Sequence, residues 1–245
     1  MRRGSRPRSG GEAGVKVDAR SERWREHRKK VRAEIVDAAF RAIDRLGPNV
    51  SVREIAEEAG TAKPKIYRHF TDKSDMFAEI GQRMRDMLWA AIIPSIDVEN
   101  DSARQIVGRG VEHYVELVEQ HPNVVRFLLQ GRFADQSAAA MTAVNKGSEI
   151  TLAVADMIST QLEDLASEPA AFELAAYAIF GTAASATDWW LGGDDSPRRM
   201  PADQFIAHMT TIMVGAINGT AELLGIQIDA DKPIHTAVRK QQPVA

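Results

Sequence analysis

The stretch from Ser51 to Lys73, SVREIAEEAGTAKPKIYRHFTDK, leaves the chain little freedom in what it folds into. Ser51 and Glu54 stand at S-x-x-E spacing, in which the hydroxyl and the carboxylate cap each other's backbone, so a helix is predicted from Val52. Val52, Ile55, Ala56 and Ala59 recur at helical spacing and give that helix one apolar face. Gly60 follows at once, where left-handed backbone is cheap, so the helix is predicted to stop there. The chain re-enters a helix over about Ala62 to Arg68, with Pro64 in the first turn, where its missing N–H is not needed. Ile66 and Phe70, four residues apart, are predicted to point back at the first helix. Lys63, Lys65, Tyr67, Arg68 and His69 are left for the outside. Thr71 or Asp72 caps a further helix that has Lys73 in its first turn.

Two short helices joined by a tight glycine turn have the layout of a helix-turn-helix, whose second helix lies in the DNA major groove. A short basic helix taken alone is more often a solvated surface. The capping box, Gly60, the lysines and the tyrosine at mutually consistent spacings turn this one into a surface for phosphates and base edges. The charge distribution agrees. Residues 1–85 carry 21 Lys/Arg against 13 Asp/Glu, a net of +8, and residues 86–245 carry 10 against 21, a net of −11. A basic head on an acidic body is the footprint of a reader of nucleic acid with a second, different task in its larger part.

The segment resembles the N-terminal domain of the TetR family of transcriptional regulators. The resemblance rests on Ile35-Val36-Asp37-Ala38-Ala39-Phe40, Gly47, Ser51-Val52-Arg53-Glu54-Ile55-Ala56, Ala59-Gly60, Ile66-Tyr67-Arg68-His69-Phe70 and Lys73, and covers roughly residues 30 to 80. It implies that Lys63 and Lys65 read bases, that Ser51, Arg53, Tyr67, His69 and Lys73 place the phosphates, and that Thr61 does either, with Pro64 and Arg68 on the same surface. The chain departs from the family pattern in two places. Ala62 stands where Ser or Thr usually caps the recognition helix, and Thr61 is the candidate to take over part of that role. Lys65 stands where Thr is common, and a longer cation there shifts preference toward guanine O6/N7.

Before the head, residues 1–24 read as a disordered basic arm, rich in Arg, Gly and Ser. Arg2, Arg3, Arg6 and Arg8 suit either a minor-groove arm or a solubilising tail. Trp24 to Lys30 reads as an extension of the first helix, within a DNA-binding domain over residues 25–85. Residues 86–226 are assigned to ligand binding and dimerisation, and residues 227–245 to a C-terminal tail. Helices are predicted over Ser74–Ile93, Ser102–Gln120, Asn123–Gln130, Ser137–Leu165, Ala170–Leu191 and Pro201–Leu224. No segment alternates as a strand does, so the class is all-α with about nine helices.

Ala175, Ala178, Gly181, Ala184 and Ser185 recur at helical spacing, as do Ile212, Gly215, Ala216, Gly219 and Ala221. Small residues let helices approach closely, within one chain or between two. The resemblance implies the second: a homodimer through about 170–190 and 201–224, spacing two recognition helices for a palindrome. It also implies a ligand pocket in the body. Candidate liners are Met84, Leu88, Trp89, His113, Leu117, Phe127, Phe133, Met141, Tyr177 and Phe180. Methionines adapt to irregular apolar guests, and cations are few in this region, so the expected effector is small and lipophilic, a fatty acyl chain or similar.

The resulting expectation is a repressor on a double-stranded DNA operator, released by its effector. The alternative is an activator, or a ligand-independent DNA-binding protein, with the same head. An enzyme finds no support: G-x-S-x-G, Walker A, G-x-G-x-x-G and H-E-x-x-H are all missing. The 6 histidines show no metal-ligand spacing, and no metal or cofactor is expected. With no cysteine there is no disulfide framework. No run reaches the length of a membrane span, and the N-terminus lacks an apolar signal core, so the expected location is the cytoplasm.

Overall fold

The helix starts predicted from capping residues fall at those residues in the computed structural model, which describes residues 19–134, 169–192 and 198–240 with positions 149, 152, 153 and 156. Ser51 caps α2 (Val52–Glu58) through a complete capping box. Asp72, rather than Thr71, caps α4 (Lys73–Ile92) by accepting from the Asp75 N–H. Ser102 and Gln105 form a second capping box at α5 (Ala103–Gln120). Around these lie α1 (Ala19–Leu46), α3 (Lys63–Ile66), α6 (Pro122–Ala134), α7 (Pro169–Leu191), α8 (Ala202–Leu223) and the short α9 (Ile234–Ala237). Positions 149, 152, 153 and 156 are helical as well; among the described residues the strands are one pair of three residues each, and the protein is all-α. Most of the predicted Ser137–Leu165 helix falls outside the described residues.

Two expectations need correction. The first is the disordered arm over 1–24, because α1 already begins at Ala19. Ala19, Arg20, Glu22 and Arg23 are good helix formers, and Glu22 in the first turn suits the positive end of the helix. Arg2, Arg3, Arg6 and Arg8 lie outside the described residues. The second is the tail over 227–245. Strand β1 (Ile226–Ile228) pairs antiparallel with β2 (Val238–Lys240), with Gln227 opposite Arg239. The segment is stitched over the start of α5: the Arg104 N–H donates to the Ala230 carbonyl at 3.0 Å and the Ile234 N–H to that of Asp101 at 3.1 Å. Arg104 also holds Asp231 at 2.6 Å. Three-residue strands are too short to show a period of two, and the ties that hold them are distant in sequence.

One hydrophobic cluster runs through the molecule. It takes Ile35, Ala39, Phe40 and Ile43 from α1, Ile55 from α2, Ile66 from α3, and Met76, Ile80 and Met84 from α4. It continues without a break into Val111, Val115 and Val118 of α5, Phe127 of α6, Trp190 of α7 and Met209 and Met213 of α8. Trp190 is fully buried. It stacks on Phe205 with ring centroids 4.4 Å apart, and its Nε1 donates to the Met200 carbonyl at 2.8 Å, which pins the start of α8. Arg126 of α6 donates to the Leu191 carbonyl at 3.0 Å, a cation at the negative end of α7.

Candidate nucleic-acid interface

The turn between α2 and α3 is a Schellman motif, in which the Thr61 N–H donates to the Ala56 carbonyl at 2.8 Å and the Gly60 N–H to that of Glu57 at 3.1 Å. Gly60 has φ of +62°, which a β-carbon penalises. This geometry turns α3 across the surface of α2. Ile66 and Phe70, each 1% exposed, anchor it to the core as predicted. Burying two side chains of that size contributes about 1.5–3 kcal/mol each.

With its apolar residues turned inward, α3 presents its polar ones outward. Lys63, Pro64, Lys65 and Arg68 are exposed, as are Ser51, Arg53 and Lys73 around the helix, while Thr61 is half-buried. Tyr67 is 42% exposed, and the Lys63 ammonium lies 5.9 Å from its ring centroid. Of the residues proposed from sequence, two differ from the roles given to them. Ser51 is engaged: its hydroxyl lies 2.7 Å from Glu54 Oε2, and that bond, with the one from the Ser51 backbone, holds the Glu54 carboxyl below the usual range. His69 is half-buried. Burial, then the nearby Arg28, Lys65, Arg32 and His27 side chains, push its imidazole below the ordinary histidine range. It enters the surface as a neutral group, and its Nδ1 is buried without a partner. Thr61 does not replace the missing cap, since the N-cap of α3 is Ala62 and no side chain bonds there.

Sequence reasoning missed Arg32. Its guanidinium donates to the His69 carbonyl, to Asp75 at 2.7 Å and to Glu79 at 2.7 Å, and lies 4.3 Å from the Phe70 ring centroid. Asp75 in turn accepts from the Thr71 N–H at 2.9 Å. One side chain from α1 thus fixes the end of the recognition segment to α4. The bond to Arg32 holds the Asp75 carboxyl low. Partners 43 and 47 residues away leave no local signal in sequence.

A second unforeseen cluster joins the head to the larger part. His121, at the corner between α5 and α6, places Nδ1 2.7 Å from Asp44 Oδ2 at the end of α1. Its ring meets Phe40 edge-on at 5.7 Å. Asn123 donates to the Asp44 carbonyl at 3.0 Å.

Met84, Leu117 and Phe127 are buried in the main cluster, with Leu88 packed against it. Phe127 lies 5.5 Å from Phe77, ring to ring. Trp89 is 38% exposed. His113 is paired with Glu116 at 3.3 Å. Tyr177 and Phe180 are half-buried on α7. Met141 and the side chain of Phe133 lie outside the described residues. Tyr114 of α5, half-buried, and Thr187 of α7, fully buried, share a hydrogen bond of 2.7 Å. Among the described residues no group of acidic or histidine side chains is arranged to hold a metal, and no helix is long and apolar enough to cross a membrane.

Residues 35–80 match the family described as bacterial regulatory proteins, tetR family. Residues 91–227 match the tetracyclin repressor-like C-terminal domain. The chain is 30% identical over 214 residues to an uncharacterised HTH-type transcriptional regulator of Mycobacterium tuberculosis, covering 86% of this chain and 87% of that protein. Among solved structures it resembles a tetR-family transcriptional regulator from Streptomyces coelicolor, with a TM-score of 0.61 at 22% identity, over 80% of this chain and 86% of the other. It also resembles the fatty acid degradation regulator FadR of Bacillus halodurans, with a TM-score of 0.55 at 18% identity, over 75% and 97% of the two chains. At these identities the two structures speak to the fold.

Proposed function

The chain belongs to the TetR family of bacterial DNA-binding transcriptional regulators, a family of regulators and not of enzymes, and from that premise we propose that it is a cytoplasmic repressor. It binds a palindromic operator as a homodimer and is released by a small lipophilic effector. The observation that carries the operator reading is the α3 surface, anchored by buried Ile66 and Phe70 and presenting Lys63, Lys65, Tyr67 and Arg68 to solvent. In this reading Lys63 and Lys65 reach base edges, and Arg53, Tyr67, Arg68 and Lys73 hold phosphates. Pro64 and Thr61 shape the approach of α3, Ser51 contributes through the cap of α2, and His69 contributes a neutral ring.

The dimer reading is supported by small residues that the fold leaves unused. A β-carbon added at Gly181, Gly215 or Gly219 meets nothing within 4 Å. Ile212, Gly215, Ala216, Gly219 and Leu223 share one exposed face of α8, and Leu174, Ala178 and Ser185 lie exposed on α7. Leu174 is 71% and Leu223 89% exposed, a poor position for an unpartnered leucine. Packing among the described residues leaves these small-residue stripes open, which favours a second copy against them.

The effector reading draws on the apolar interior that holds Met84, Leu117 and Phe127, with Tyr114, bonded to Thr187, packed against it. The similarity to a fatty acid degradation regulator favours an acyl chain. A hundredfold change in operator affinity requires only about 2.7 kcal/mol of coupling, within the usual allosteric range. Capture of fragmented genomic DNA at physiological salt, repeated with a panel of fatty acyl compounds, sterols, phenols and sugars, tests the whole reading. A shared palindrome released by the acyl compounds supports it. Sequence-independent capture removes the operator reading, and release by polar compounds alone removes the lipophilic one.

A further inference from the structure

The last turns of α8 and the C-terminal hairpin line an open cavity of about 300 Å³. The hairpin is held against α8 by Ala221 and Ile226, with Leu224, Ile228 and Val238 packed on them. It is also stitched to the start of α5, which fixes the cavity walls to the body. Neither the operator surface nor the apolar interior uses the residues of this cavity.

One wall is α8, where Asn218 and Glu222 stand four residues apart and so on one side of the helix. A second wall is the hairpin, where Gln227 of β1 is directly opposite Arg239 of β2. Asp229 and Lys232 line the cavity too, but they neutralise each other at 2.6 Å. That leaves one carboxylate, Glu222, and one guanidinium, Arg239. Both are exposed, and neither is in an ion pair among the described residues. The Asn218 Oδ1 is buried without a hydrogen-bond partner. A buried acceptor left unmet is costly, and a small rotation of the amide brings it to an incoming N–H.

These groups discriminate among ligand classes. A neutral sugar pairs with neither charge. A polyamine meets the Arg239 and Lys232 cations, and a nucleotide brings several negative charges to a cavity whose own charges cancel. A small molecule with one charge of each sign satisfies both walls.

We propose that this cavity is a second small-molecule site, which takes a zwitterion of free α-amino-acid size. The ligand carboxylate accepts from the forked N–H groups of Arg239, with the Gln227 amide beside it. Its ammonium donates to the Glu222 carboxylate and to Asn218 Oδ1. A volume of about 300 Å³ lies at the small end of ligand cavities, which suits a molecule of this size. The site takes ligands of opposite polarity to the lipophilic effector, and it stands independently of the operator and effector readings.

The test is isothermal titration calorimetry of the full chain with the free proteinogenic L-amino acids up to millimolar concentration. Each one that binds is repeated as its N-acetyl derivative, which lacks the ammonium, and as its carboxamide, which lacks the carboxylate. Titrations are compared for wild type, Glu222→Gln, Arg239→Gln and the exposed control Glu112→Gln, with helix content checked by circular dichroism. The expected result is saturable binding of at least one amino acid, weakened about tenfold or more by either derivative, by E222Q and by R239Q, and unchanged in E112Q. The N-acetyl penalty is expected to vanish in E222Q and the carboxamide penalty in R239Q, because each pair of changes removes the same contact. Absence of saturable heat with every amino acid overturns the proposal. So does binding of wild-type strength in both E222Q and R239Q, which places the ligand elsewhere. Derivatives that bind as well as the parent amino acid overturn the zwitterion class.

Discussion

At the scale of single residues, the recognition surface divides into side chains that are free to meet DNA and side chains already occupied in shaping it. Lys65 is of the first kind: exposed, near the end of α3, and without an ion-pair partner among the described residues. Replacing it with alanine is expected to weaken operator binding by about 1–3 kcal/mol and to relax preference at one base pair, read by fluorescence anisotropy against a set of single-base variants. His69 is of the second kind. Its imidazole is held below the usual range by burial and neighbouring cations, so the unfolded chain takes up a proton that the folded chain refuses. Its contribution to stability is therefore complete above about pH 6.5 and falls as pH drops toward the folded value. Urea melts from pH 7.5 to 5 are expected to show a shallower decline in His69→Gln than in the wild type; identical slopes refute the assignment. Local spacing made Ile66, Phe70 and the lysines legible in the sequence. It gave no sign of Arg32, whose partners lie tens of residues away, or of the lowered His69 imidazole, which comes first from burial and then from cations such as Arg28 of α1.

At the scale of elements, what could be read in advance tracks how local the cause is. The capping boxes at Ser51 and Ser102 and the glycine turn at Gly60 are decided within a few residues: α2 and α5 begin, and α2 ends, where those signals stand, while α3 stops at Ile66, short of the Arg68 that the spacing predicts. The strand pair at the C-terminus depends on ties to α5 from more than a hundred residues away and was invisible. The one local signal absent from the head is a cap on α3, where Ala62 occupies an extended N-cap conformation, φ −107° and ψ 147°. That backbone suits a serine, so Ala62→Ser is expected to raise stability by about 0.5–1 kcal/mol in chemical denaturation. At the other end of the chain, a β-carbon added at Gly219 meets nothing within 4 Å among the described residues, which makes room for Gly219→Phe. It is expected to leave the monomer fold intact and to shift sedimentation equilibrium from dimer to monomer, with operator affinity falling in step; a dimer that survives would place the interface elsewhere.

At the scale of the whole molecule, the link between the two tasks is a physical joint. The carboxylate and carbonyl of Asp44 at the end of α1 are held by His121 and Asn123 at the α5–α6 corner. Under the proposed function, a displacement of that corner by an effector bears directly on the helix that carries Arg32. Asp44→Ala removes the His121 contact while leaving α3 untouched. It is expected to retain most operator affinity and to lose most of the effector response, measured as the ratio of operator dissociation constants with and without ligand; an unchanged ratio would place the coupling in α4 alone. The split between a basic head and an acidic body was plain in the charge pattern. The joint was not, because its partners are 77 and 79 residues apart.

The hydrophobic cluster that passes from α1 and α4 into α5, α6 and α8 has no seam at the boundary between the two tasks. The head is consequently not a cassette. A chimera that grafts residues 25–85 onto a foreign sensing body would strand Phe40, Ile80 and Met84 against surfaces not shaped for them. To rewire this protein to a new signal, an engineer has to carry the inner faces of α5 and α6 along with the recognition helix, and treat them as part of what reads the operator.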